Sequence, residues 1–504
     1  MKIKLCMIWL LGFSTLCSCS CHSQVQESKN NSTPGEWIAP NDTTRLIDNY
    51  LVSLTKSKSF SGGLLIIKNG EKIFSKGYGF ANKEKGIPFT PSTLASMGSI
   101  TKAFTAAGIM KLYEQGKLSL SNNLKKYFPA VPKDKQNITI HQLLTHSSGF
   151  VEFLKNDGGD YQKIETNEYL ATAFAEPLLF EPGTKSIYTN VGMSILAIII
   201  EKVSGMGYEQ FLKKELFEPV GIKDIGYQYP AGKEITIAHG YENGVDWGTH
   251  QTHFEKAGGG PYWNLKGNGG LEASLNEMYL WANAFTNKTI LKDSTIQKMF
   301  TPHIMEENTG GHYYFGYGCN ISKSRRNTKV IDNGGSNGIY FARMVRLPEE
   351  GLVFYMVTNE KSAPTEKILP NVTQLYFYGK IMEDAFERKQ SFEFPNAEKV
   401  YDLLVNKGPA NFEKNLKAEG IEIQDDMVLL EAGQKLTQNN KPDEAIALYE
   451  YYVMKFPNIV VAQNDLGDLY LKKGEKEKAK NCYRQALKIR PENPRAKEAL
   501  KNLE

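Results

Sequence analysis

Ser99 and Lys102 are the two residues of this sequence best placed for nucleophilic chemistry. They belong to the string Ser99-Ile-Thr-Lys102, which follows the turn residues Met97 and Gly98 at the predicted start of a helix. The positive end of a helix dipole favours a serine that develops negative charge. A spacing of three residues puts the lysine amine on the same helix face as the hydroxyl. Because such an amine can withdraw the proton of an attacking serine, the pair predicts a serine nucleophile with a lysine base.

Two other serine motifs are weaker candidates. Ser53 also precedes a lysine by three positions, but it lies at the polar end of a predicted helix and has no companion motif, which indicates a solvated surface. Ser336 lies in Gly334-Gly-Ser-Asn-Gly338, which matches the nucleophile elbow of α/β-hydrolases. That elbow requires a helix directly after the serine and a histidine further along the chain. The sequence predicts strands there and its last histidine is His312, so the elbow is excluded.

Four histidines have the close spacing of metal ligands: His250 with His253, and His141 with His146. Neither pair has the neighbouring glutamate of the His-Glu-x-x-His arrangement, in which a glutamate acts as general base beside zinc. We therefore predict surface or turn histidines at these positions. Cys319 has no sequence neighbour that would activate a thiolate, so a cysteine nucleophile is not indicated.

Three segments resemble the serine β-lactamase and penicillin-binding-protein superfamily. Residues 94–106 look like its nucleophile segment, residues 140–149 like its Leu-Leu-x-His-x-Ser-Gly turn, and residues 180–192 like its second catalytic element. The resemblance covers roughly residues 43–388 and is greatest to the class C β-lactamase-like group. That group also contains D-alanyl-D-alanine carboxypeptidases, D-aminopeptidases and esterases.

The resemblance implies roles for four side chains. Ser99 would attack a carbonyl group and form an acyl-enzyme, with Lys102 as the neighbouring base. Tyr188 would pass a proton to the leaving group and later help to activate water. Since a free tyrosine titrates at about pH 10, this role needs a cation such as Lys102 that favours the phenolate. Asn190 would position these side chains and the substrate amide.

The resemblance also implies an oxyanion hole. Its donors would be the backbone N–H groups of Ser99 and of Ser336, which follows Gly335. Such fixed donors stabilise the negative charge that develops on the attacked carbonyl oxygen. No metal or organic cofactor is implied.

The third family element departs from its usual pattern at Asn333. The family places Lys-Thr-Gly or His-x-Gly on the strand that lines the site, whereas this chain has Asn333-Gly-Gly335-Ser336. A neutral amide cannot offer the charge-assisted hydrogen bond that holds a substrate carboxylate, which is roughly twice as strong as a neutral one. We therefore expect recognition of a β-lactam or D-Ala-D-Ala carboxylate to suffer more than ester or peptide hydrolysis. Arg343 or Arg346 could replace the missing cation.

The elements that position these residues predict an α+β fold. An amphipathic helix is predicted over residues 43–56 and a hairpin with an Asn-Gly turn over residues 62–74. Helical patterns dominate residues 99–285, strands return over residues 341–358, and a helix follows over residues 366–388. We predict an antiparallel sheet built from both ends of this segment, flanked by the terminal helices, with an all-helical subdomain between them.

A repeat of 34 residues follows the predicted hydrolase domain, residues 43–390. The pattern resembles the tetratricopeptide repeat, in which small residues let two helices pack closely, and it implies a protein partner. We predict a repeat domain over residues 395–504, with repeats near residues 426–459 and 460–493. Since two repeats are too few for a stable solenoid, residues 397–420 are expected to add a helical pair. Identical residues recur at this spacing: Gly433 and Gly467, Ala445 and Ala479, Tyr449 and Tyr483, and Pro457 and Pro491.

The first residues of the chain predict export. Two lysines and an apolar stretch over residues 5–16 match a signal peptide, and the stretch is too short to span a bilayer. The following residues, Leu-Cys-Ser-Cys19, resemble a bacterial lipobox. We therefore expect removal of residues 1–18 and lipidation of Cys19, with ordinary cleavage near Ser18 or Ser20 as the alternative.

A flexible tether is predicted over residues 19–42, which are rich in Ser, Asn and Pro. The protein is accordingly expected in the periplasm or at the cell surface. Its contact with the membrane would be the lipid anchor only.

Composition excludes nucleic acid as the expected partner. The 504 residues include 60 Lys and Arg and 56 Asp and Glu, a net charge of +4, with no long basic run. The sequence predicts an exported serine hydrolase that acts through an acyl-enzyme on a peptidoglycan-type D-amino acid peptide, a β-lactam or a small ester. The alternative is a catalytically weak binding or scaffold protein of the cell envelope, which Asn333 favours.

Overall fold

The computed structural model describes most of the chain. The predicted signal peptide, Cys19 and the first part of the predicted tether lie outside the described residues, so export and lipidation stay predictions. The described residues are 36–155, 159–230, 232–306, 313–324, 326–362, 365–381, 395–423, 426–491 and 493–503.

An antiparallel sheet of nine strands forms the centre of the predicted hydrolase domain. Two-stranded sheets accompany it, one of which pairs the residues before Ser99 with residues 272–273. The strands are β1 (Trp37–Ile38), β2 (Gly62–Lys68), β3 (Glu71–Tyr78), β4 (Phe80–Asn82), β5 (Ile87–Pro88), β6 (Ala95–Ser96), β7 (Gly240–Glu242), β8 (Val245–Gly248), β9 (Glu272–Ala273), β10 (Ile304–Met305), β11 (Tyr314–Phe315), β12 (Asn320–Lys323), β13 (Lys329–Ser336), β14 (Phe341–Leu347) and β15 (Leu352–Thr358).

Strands from the two ends of this predicted domain meet in the middle of the large sheet. The strand order is β1-β3-β2-β15-β14-β13-β12-β11-β10. Antiparallel pairing of β2 with β15 sets Gly62 opposite Thr358 and Lys68 opposite Leu352. The predicted antiparallel sheet, built from both ends of the segment, is thereby confirmed.

The central strands are buried on both faces of the sheet. Leu65 and Ile67 belong to the large hydrophobic core of the helical subdomain, whereas Leu64 and Ile66 pack into a second core beneath the terminal helices. Successive side chains of a strand point to opposite faces. This explains why β2 is an unbroken apolar run in the sequence, although the strand is antiparallel.

Helices cover both faces of the sheet, and the predicted α+β class with an all-helical subdomain is confirmed. The chain also forms short 3-10 turns at Gly98–Ile100 and Glu218–Val220, and a π-helical turn at Lys213–Phe217. The helices are α1 (Asp42–Lys56), α2 (Thr101–Glu114), α3 (Leu124–Tyr127), α4 (Ile140–Leu144), α5 (Thr166–Ala175), α6 (Asn190–Ser204), α7 (Tyr208–Leu212), α8 (His250–Lys256), α9 (Leu275–Thr286), α10 (Asp293–Met299), α11 (Thr365–Tyr378), α12 (Pro395–Lys407), α13 (Phe412–Ala418), α14 (Asp426–Gln438), α15 (Pro442–Lys455), α16 (Val460–Lys472), α17 (Lys476–Ile489) and α18 (Pro494–Lys501).

Helices α12–α18 share a hydrophobic core of their own. The two repeats pack in the same way. A Cβ at Gly433 would lie 2.7 Å from the Tyr449 ring, and a Cβ at Gly467 would lie 2.7 Å from the Tyr483 ring. Glycine therefore lets each tyrosine ring lie directly against the preceding helix. Helices α12 and α13 occupy the segment for which the sequence predicts an additional helical pair.

The length and hydropathy of the helices bear on contact with a membrane. No single helix there is long and apolar enough to cross a membrane. One bent pair, Asn190–Ser204 with Tyr208–Val220, meets the criteria by length and composition only. The first of these helices is α6, whose residues Asn190 to Ile200 are all buried within the protein.

Candidate active site

Ser99 lies in a tight turn between β6 and α2. Gly98 has φ +51°, and a Cβ there would lie 2.6 Å from the backbone nitrogen of Ser336. Glycine therefore permits both the left-handed turn and the close approach of β13. Gly98 and Ile100 are buried while Ser99 is half-buried, so this turn presents the hydroxyl to the cleft.

Lys102 is buried in the first turn of α2, with its amine directed at Ser99. Its Nζ lies 3.0 Å from Ser99 Oγ and donates to Asn190 Oδ1 at 2.6 Å and to the carbonyl oxygen of Asn268 at 2.6 Å. Burial lowers the pKa of Lys102 to about 7, although the charges of Glu152 and Asp160 raise it. A substantial fraction of this amine is therefore neutral at neutral pH and able to accept a proton.

Tyr188 is the second group that contacts the Ser99 hydroxyl. Its hydroxyl donates to Ser99 Oγ at 2.8 Å, and Lys102 Nζ lies 4.7 Å from the centre of its ring. Burial raises the pKa of Tyr188 above its ordinary value, and Glu152 and Glu306 raise it further, against the lowering effect of the Ser99 hydrogen bond. This direction favours the protonated phenol of Tyr188 over the phenolate that its predicted role requires, because burial disfavours the charged form.

His146 holds the ring of Tyr188. The two rings stack with centroids 4.9 Å apart, and the backbone N–H of Thr189 donates to His146 Nδ1 at 3.1 Å. Burial and the nearby Lys102 charge lower the pKa of His146 to about 3. This histidine is thus neutral and buried, and it lies in a turn, the second of the two predicted settings.

Asn190 is the first residue of α6, and its Oδ1 accepts a hydrogen bond from Lys102 Nζ. Thr189 caps the helix, since its Oγ1 accepts from the backbone N–H of Gly192 at 3.1 Å. The cap fixes the start of the helix, and with it the position of the Asn190 side chain.

Gly335 and Ser336 bring β13 against the turn that carries Ser99. A Cβ at Gly335 would lie 2.0 Å from the carbonyl oxygen of Met97 and 2.6 Å from the backbone nitrogen of Ser99. Only glycine can occupy this position without displacing the backbone. The backbone nitrogens of Ser99 and Ser336, the predicted oxyanion donors, consequently lie on two segments in direct contact.

Asn333 lies on β13 and lines the cleft, where its Nδ2 donates to the carbonyl oxygen of Gly318 at 2.6 Å. Neither nearby arginine replaces the missing cation. Arg343 lines the cleft but its Nη2 lies 2.5 Å from Asp332 Oδ2. Arg346 is buried behind the strand and donates to the carbonyl oxygen of Ala282.

The cleft around Ser99 has a volume of about 890 Å³ and is rich in carboxylates. Among its described lining residues, Lys361 lies 2.9 Å from Glu366, so this cation, like Arg343, already has a carboxylate partner. The electrostatic balance suits a neutral or cationic substrate better than an anionic one. The acidic lining residues are Glu152, Asp160, Glu306, Asp332 and Glu366.

Sequence reasoning missed two contributors near the site. Asn268 acts through its backbone carbonyl, and its only sequence signal is the run of glycines at 267, 269 and 270. His250, predicted as a surface or turn residue, is completely buried. Cys319 is buried and burial raises the pKa of its thiol to about 12, which agrees with the absence of an activating motif.

The histidines with the spacing of metal ligands have other partners in the structure. In the parts of the chain that the structure describes, no group of three or more His, Cys, Asp and Glu side chains could hold a metal ion. His141 Nδ1 lies 2.8 Å from the Tyr317 hydroxyl, and His253 Nε2 lies 2.9 Å from the carbonyl oxygen of Trp247.

Comparison with known proteins identifies the family. The family model described as Beta-lactamase matches residues 47–375, and one described as Tetratricopeptide repeat matches residues 436–503. The chain therefore belongs to the Beta-lactamase family, the class that also includes its penicillin-binding relatives, and it ends in tetratricopeptide repeats.

Relatives and solved structures agree with this assignment. The chain is 32% identical to the putative penicillin-binding protein PbpX of Bacillus subtilis over 53% of its own length and 64% of that protein, so it spans less than two thirds of that relative. It is 24% identical to penicillin-binding protein 4* of Bacillus subtilis, over 65% of this chain and 74% of that protein. The structure of an octameric penicillin-binding protein homologue from Pyrococcus abyssi has a TM-score of 0.58 and 28% identity, covering 71% of this chain and 81% of that one.

Proposed function

We propose that this protein is an exported serine hydrolase that forms an acyl-enzyme on Ser99 and cleaves an amide or ester. The observation that carries the proposal is the convergence of two groups on Ser99 Oγ, Lys102 Nζ at 3.0 Å and the Tyr188 hydroxyl at 2.8 Å. Lys102 and Tyr188 are held in different protonation states, as a base and an acid must be.

Acylation uses Lys102 first and Tyr188 second. Neutral Lys102 takes the Ser99 proton while Oγ bonds to the substrate carbonyl carbon and the carbonyl π electrons move to oxygen. When the tetrahedral intermediate collapses, the leaving nitrogen or oxygen takes the phenolic proton of Tyr188. The Lys102 ammonium then returns its proton to Tyr188, so both groups regain their initial states.

Deacylation uses Lys102 as both base and acid, with water as the nucleophile. A water molecule gives its proton to Lys102 and attacks the acyl carbonyl carbon. Collapse of the second intermediate breaks the bond to Ser99 Oγ, which recovers a proton from Lys102. Backbone N–H groups of Ser99 and Ser336 would stabilise the negative oxygen in both steps, an effect worth about 100- to 1,000-fold in rate per donor.

The substrate class follows from the charges in the cleft. A β-lactam or a D-Ala-D-Ala terminus needs a cation for its carboxylate, whereas Asn333 is neutral and Arg343 is paired with Asp332. We therefore favour a neutral or cationic ester or D-amino acid peptide over an anionic β-lactam. The tetratricopeptide repeats are proposed to bind a protein partner.

A binding or scaffold protein of the same fold is the second candidate, and the neutral Asn333 favours it. A fluorescent phosphonate separates the two, since it labels a competent serine nucleophile covalently. We expect labelling of the full-length protein, loss of labelling in Ser99→Ala and retention in the matched control Ser53→Ala, because Ser53 is exposed on α1. Absence of labelling in the unmodified protein would favour the scaffold.

A further inference from the structure

A buried histidine, His250, connects the two segments that carry the predicted oxyanion donors. It is the first residue of α8 and is completely buried, so solvent does not reach its ring. Its Nε2 lies 2.9 Å from Ser96 Oγ and its Nδ1 lies 2.6 Å from the Tyr161 hydroxyl. The rings of Tyr340 and Phe254 stack with it at centroid distances of 5.8 and 6.0 Å.

The first segment is the turn that holds Ser99. Ser96 lies three positions before the nucleophile, and the backbone N–H of Gly98 donates to its Oγ at 3.4 Å. The Ser96 hydroxyl is completely buried and cannot act as a nucleophile itself. Its position suits a role in fixing the shape of the turn.

The second segment is the end of β13. Asn337 follows Ser336 directly, and its Nδ2 lies 3.4 Å from His250 Nε2. Asn337 Oδ1 accepts from the backbone N–H groups of Ile339 at 3.1 Å and Tyr340 at 2.8 Å. The amide is therefore oriented by the backbone, with its N–H groups turned towards the imidazole.

This orientation decides the tautomer of His250. An amide N–H can only donate, so Nε2 must accept, and a neutral imidazole that accepts at Nε2 carries its hydrogen on Nδ1. Nδ1–H then donates to the Tyr161 oxygen, and the Ser96 hydroxyl donates to Nε2. Burial and the charge of His253 lower the pKa of His250 to about 3, so the ring keeps this neutral form across the physiological range.

Glu272 and His253 are two titratable groups near His250. Glu272 on β9 lies opposite Ser96 in the strand pairing and is buried. Burial raises the pKa of Glu272 to about 8, which leaves this carboxyl neutral at neutral pH. His253 lies on the same helix as His250 and stacks on Trp247 with centroids 3.9 Å apart.

We propose that His250 is a positioning residue that sets the spacing between the Ser99 turn and the Ser336 end of β13. The inference rests on the proposed acyl-enzyme function, because that spacing matters for two donors that bind one oxyanion. Donors must lie about 2.7–3.1 Å from the developing charge. A misplacement of about 1 Å can cost roughly 100-fold in rate.

Two substitutions of similar size separate hydrogen bonding from packing. The Oε1 atom of His250→Gln can still accept from Ser96 and Asn337, whereas His250→Leu fills the space without an acceptor. With a small chromogenic ester, we expect kcat of His250→Leu to fall about 10- to 100-fold with KM nearly unchanged, while His250→Gln retains most of the rate. Equal losses in both variants, or an unchanged kcat in His250→Leu, would overturn the inference.

Amide hydrogen exchange on the full-length protein provides a readout that does not need turnover. We expect faster exchange in residues 96–100 and 333–338 of His250→Leu, and nearly unaltered exchange there in His250→Gln. If His250→Leu does not fold, Ser96→Ala removes the same contact with a smaller change and should accelerate exchange in residues 96–100. If the unmodified protein hydrolyses no substrate, the proposed function is refuted but the role of His250 is not. If exchange in residues 96–100 and 333–338 is unaltered in His250→Leu, the role of His250 is refuted but the proposed function is not.

Discussion

At the scale of single residues, one physical cause prepares both proton-transfer groups at Ser99. Burial disfavours the charged form of any group, so it lowers the pKa of the Lys102 amine to about 7 and raises the pKa of the Tyr188 phenol. The base thereby becomes neutral and the acid stays protonated. A solvent-exposed version of the same three side chains would have an ammonium beside Ser99 and no available base.

The pH dependence of hydrolysis follows from Lys102. Because the neutral amine is the active form, we expect kcat/KM to rise with pH through an apparent pKa of about 7. Glu152 raises the pKa of Lys102, so Glu152→Gln should move this rising limb to lower pH. Ester hydrolysis measured between pH 5 and 9 tests this, with the exposed Glu168→Gln on α5 as control. A limb that does not move in Glu152→Gln would contradict the assignment of Lys102 as the base.

What the sequence could predict at this scale depends on whether a residue acts locally. Ser99 and Lys102 are three positions apart on one helix, so their spacing is readable from the sequence alone. Asn268 contributes a backbone carbonyl 166 positions away from Lys102, and a pattern of side-chain types does not predict such a contact. Burial of Tyr188 and His250 depends on packing by distant segments. Their protonation states therefore could not be inferred from residue type.

At the scale of elements, β9 places a buried carboxyl group, that of Glu272, next to the site. Glu272 is completely buried, and neither carboxyl oxygen has a hydrogen-bond partner among the described residues. Burial raises its pKa to about 8 from an ordinary value of 4.5. Glu272 lies in the strand pair β6–β9, which supports the turn that carries Ser99. The protonation of this carboxyl therefore makes the stability of that turn depend on pH.

The expected consequence is a loss of stability as pH rises. Below the unfolded pKa of 4.5 the carboxyl is protonated in both states, and between 4.5 and about 8 only the unfolded chain releases the proton. The free energy of unfolding should therefore fall by up to a few kcal/mol across this window. Glu272→Gln should remove that dependence and be more stable than the unmodified protein at pH 8. Thermal unfolding of the two proteins at pH 5 and pH 8 measures the pH dependence and the difference in stability. Identical pH dependence in the unmodified protein and in Glu272→Gln would refute the role of this carboxyl.

The repeat helices offer a second test at this scale. Alanine normally stabilises a helix by about 1 kcal/mol relative to glycine. Gly433→Ala should instead destabilise α14 and α15 by about 1–2 kcal/mol, because the new methyl would meet the Tyr449 ring at 2.7 Å. Hydrogen exchange in these helices measures the effect, with the exposed Gln434→Ala on α14 as the matched control. Slower exchange in Gly433→Ala would show that the tyrosine ring can move aside.

At the scale of the whole molecule, the hydrolase region and the repeats have separate hydrophobic cores. None of the candidate catalytic residues lies in the repeats. We expect a chain that ends at Gln390 to hydrolyse a small ester with nearly unchanged kcat/KM and to lose its protein partner. A soluble, folded truncation with kcat/KM reduced more than about tenfold, or roughly 1.4 kcal/mol of transition-state stabilisation, would indicate that the repeats shape the substrate site.

The predicted attachment to the membrane depends on the first residues of the sequence. Cys19→Ser should release the protein from membranes, because the apolar stretch over residues 5–16 is too short to act as an anchor by itself. Fractionation of cells that express the variant and the unmodified protein measures the change. A variant that stays in the membrane fraction would exclude the lipobox interpretation.

Pairing of β2 with β15 also has a consequence for the time at which the proposed active site can form. Thr358 and Ser61, which share a hydrogen bond at this junction, are 297 positions apart in the chain. Contacts of such long range are slow to form, because the entropy of closing the loop must be overcome first. Ser99 lies early in the chain, but the strand that completes its surroundings, β13, is held in the sheet through β14 and β15. We therefore expect the proposed acylation to become possible only after residues beyond 358 have emerged from the ribosome. A polypeptide threaded through a membrane in N-to-C order would remain inactive until nearly the entire predicted hydrolase domain has crossed.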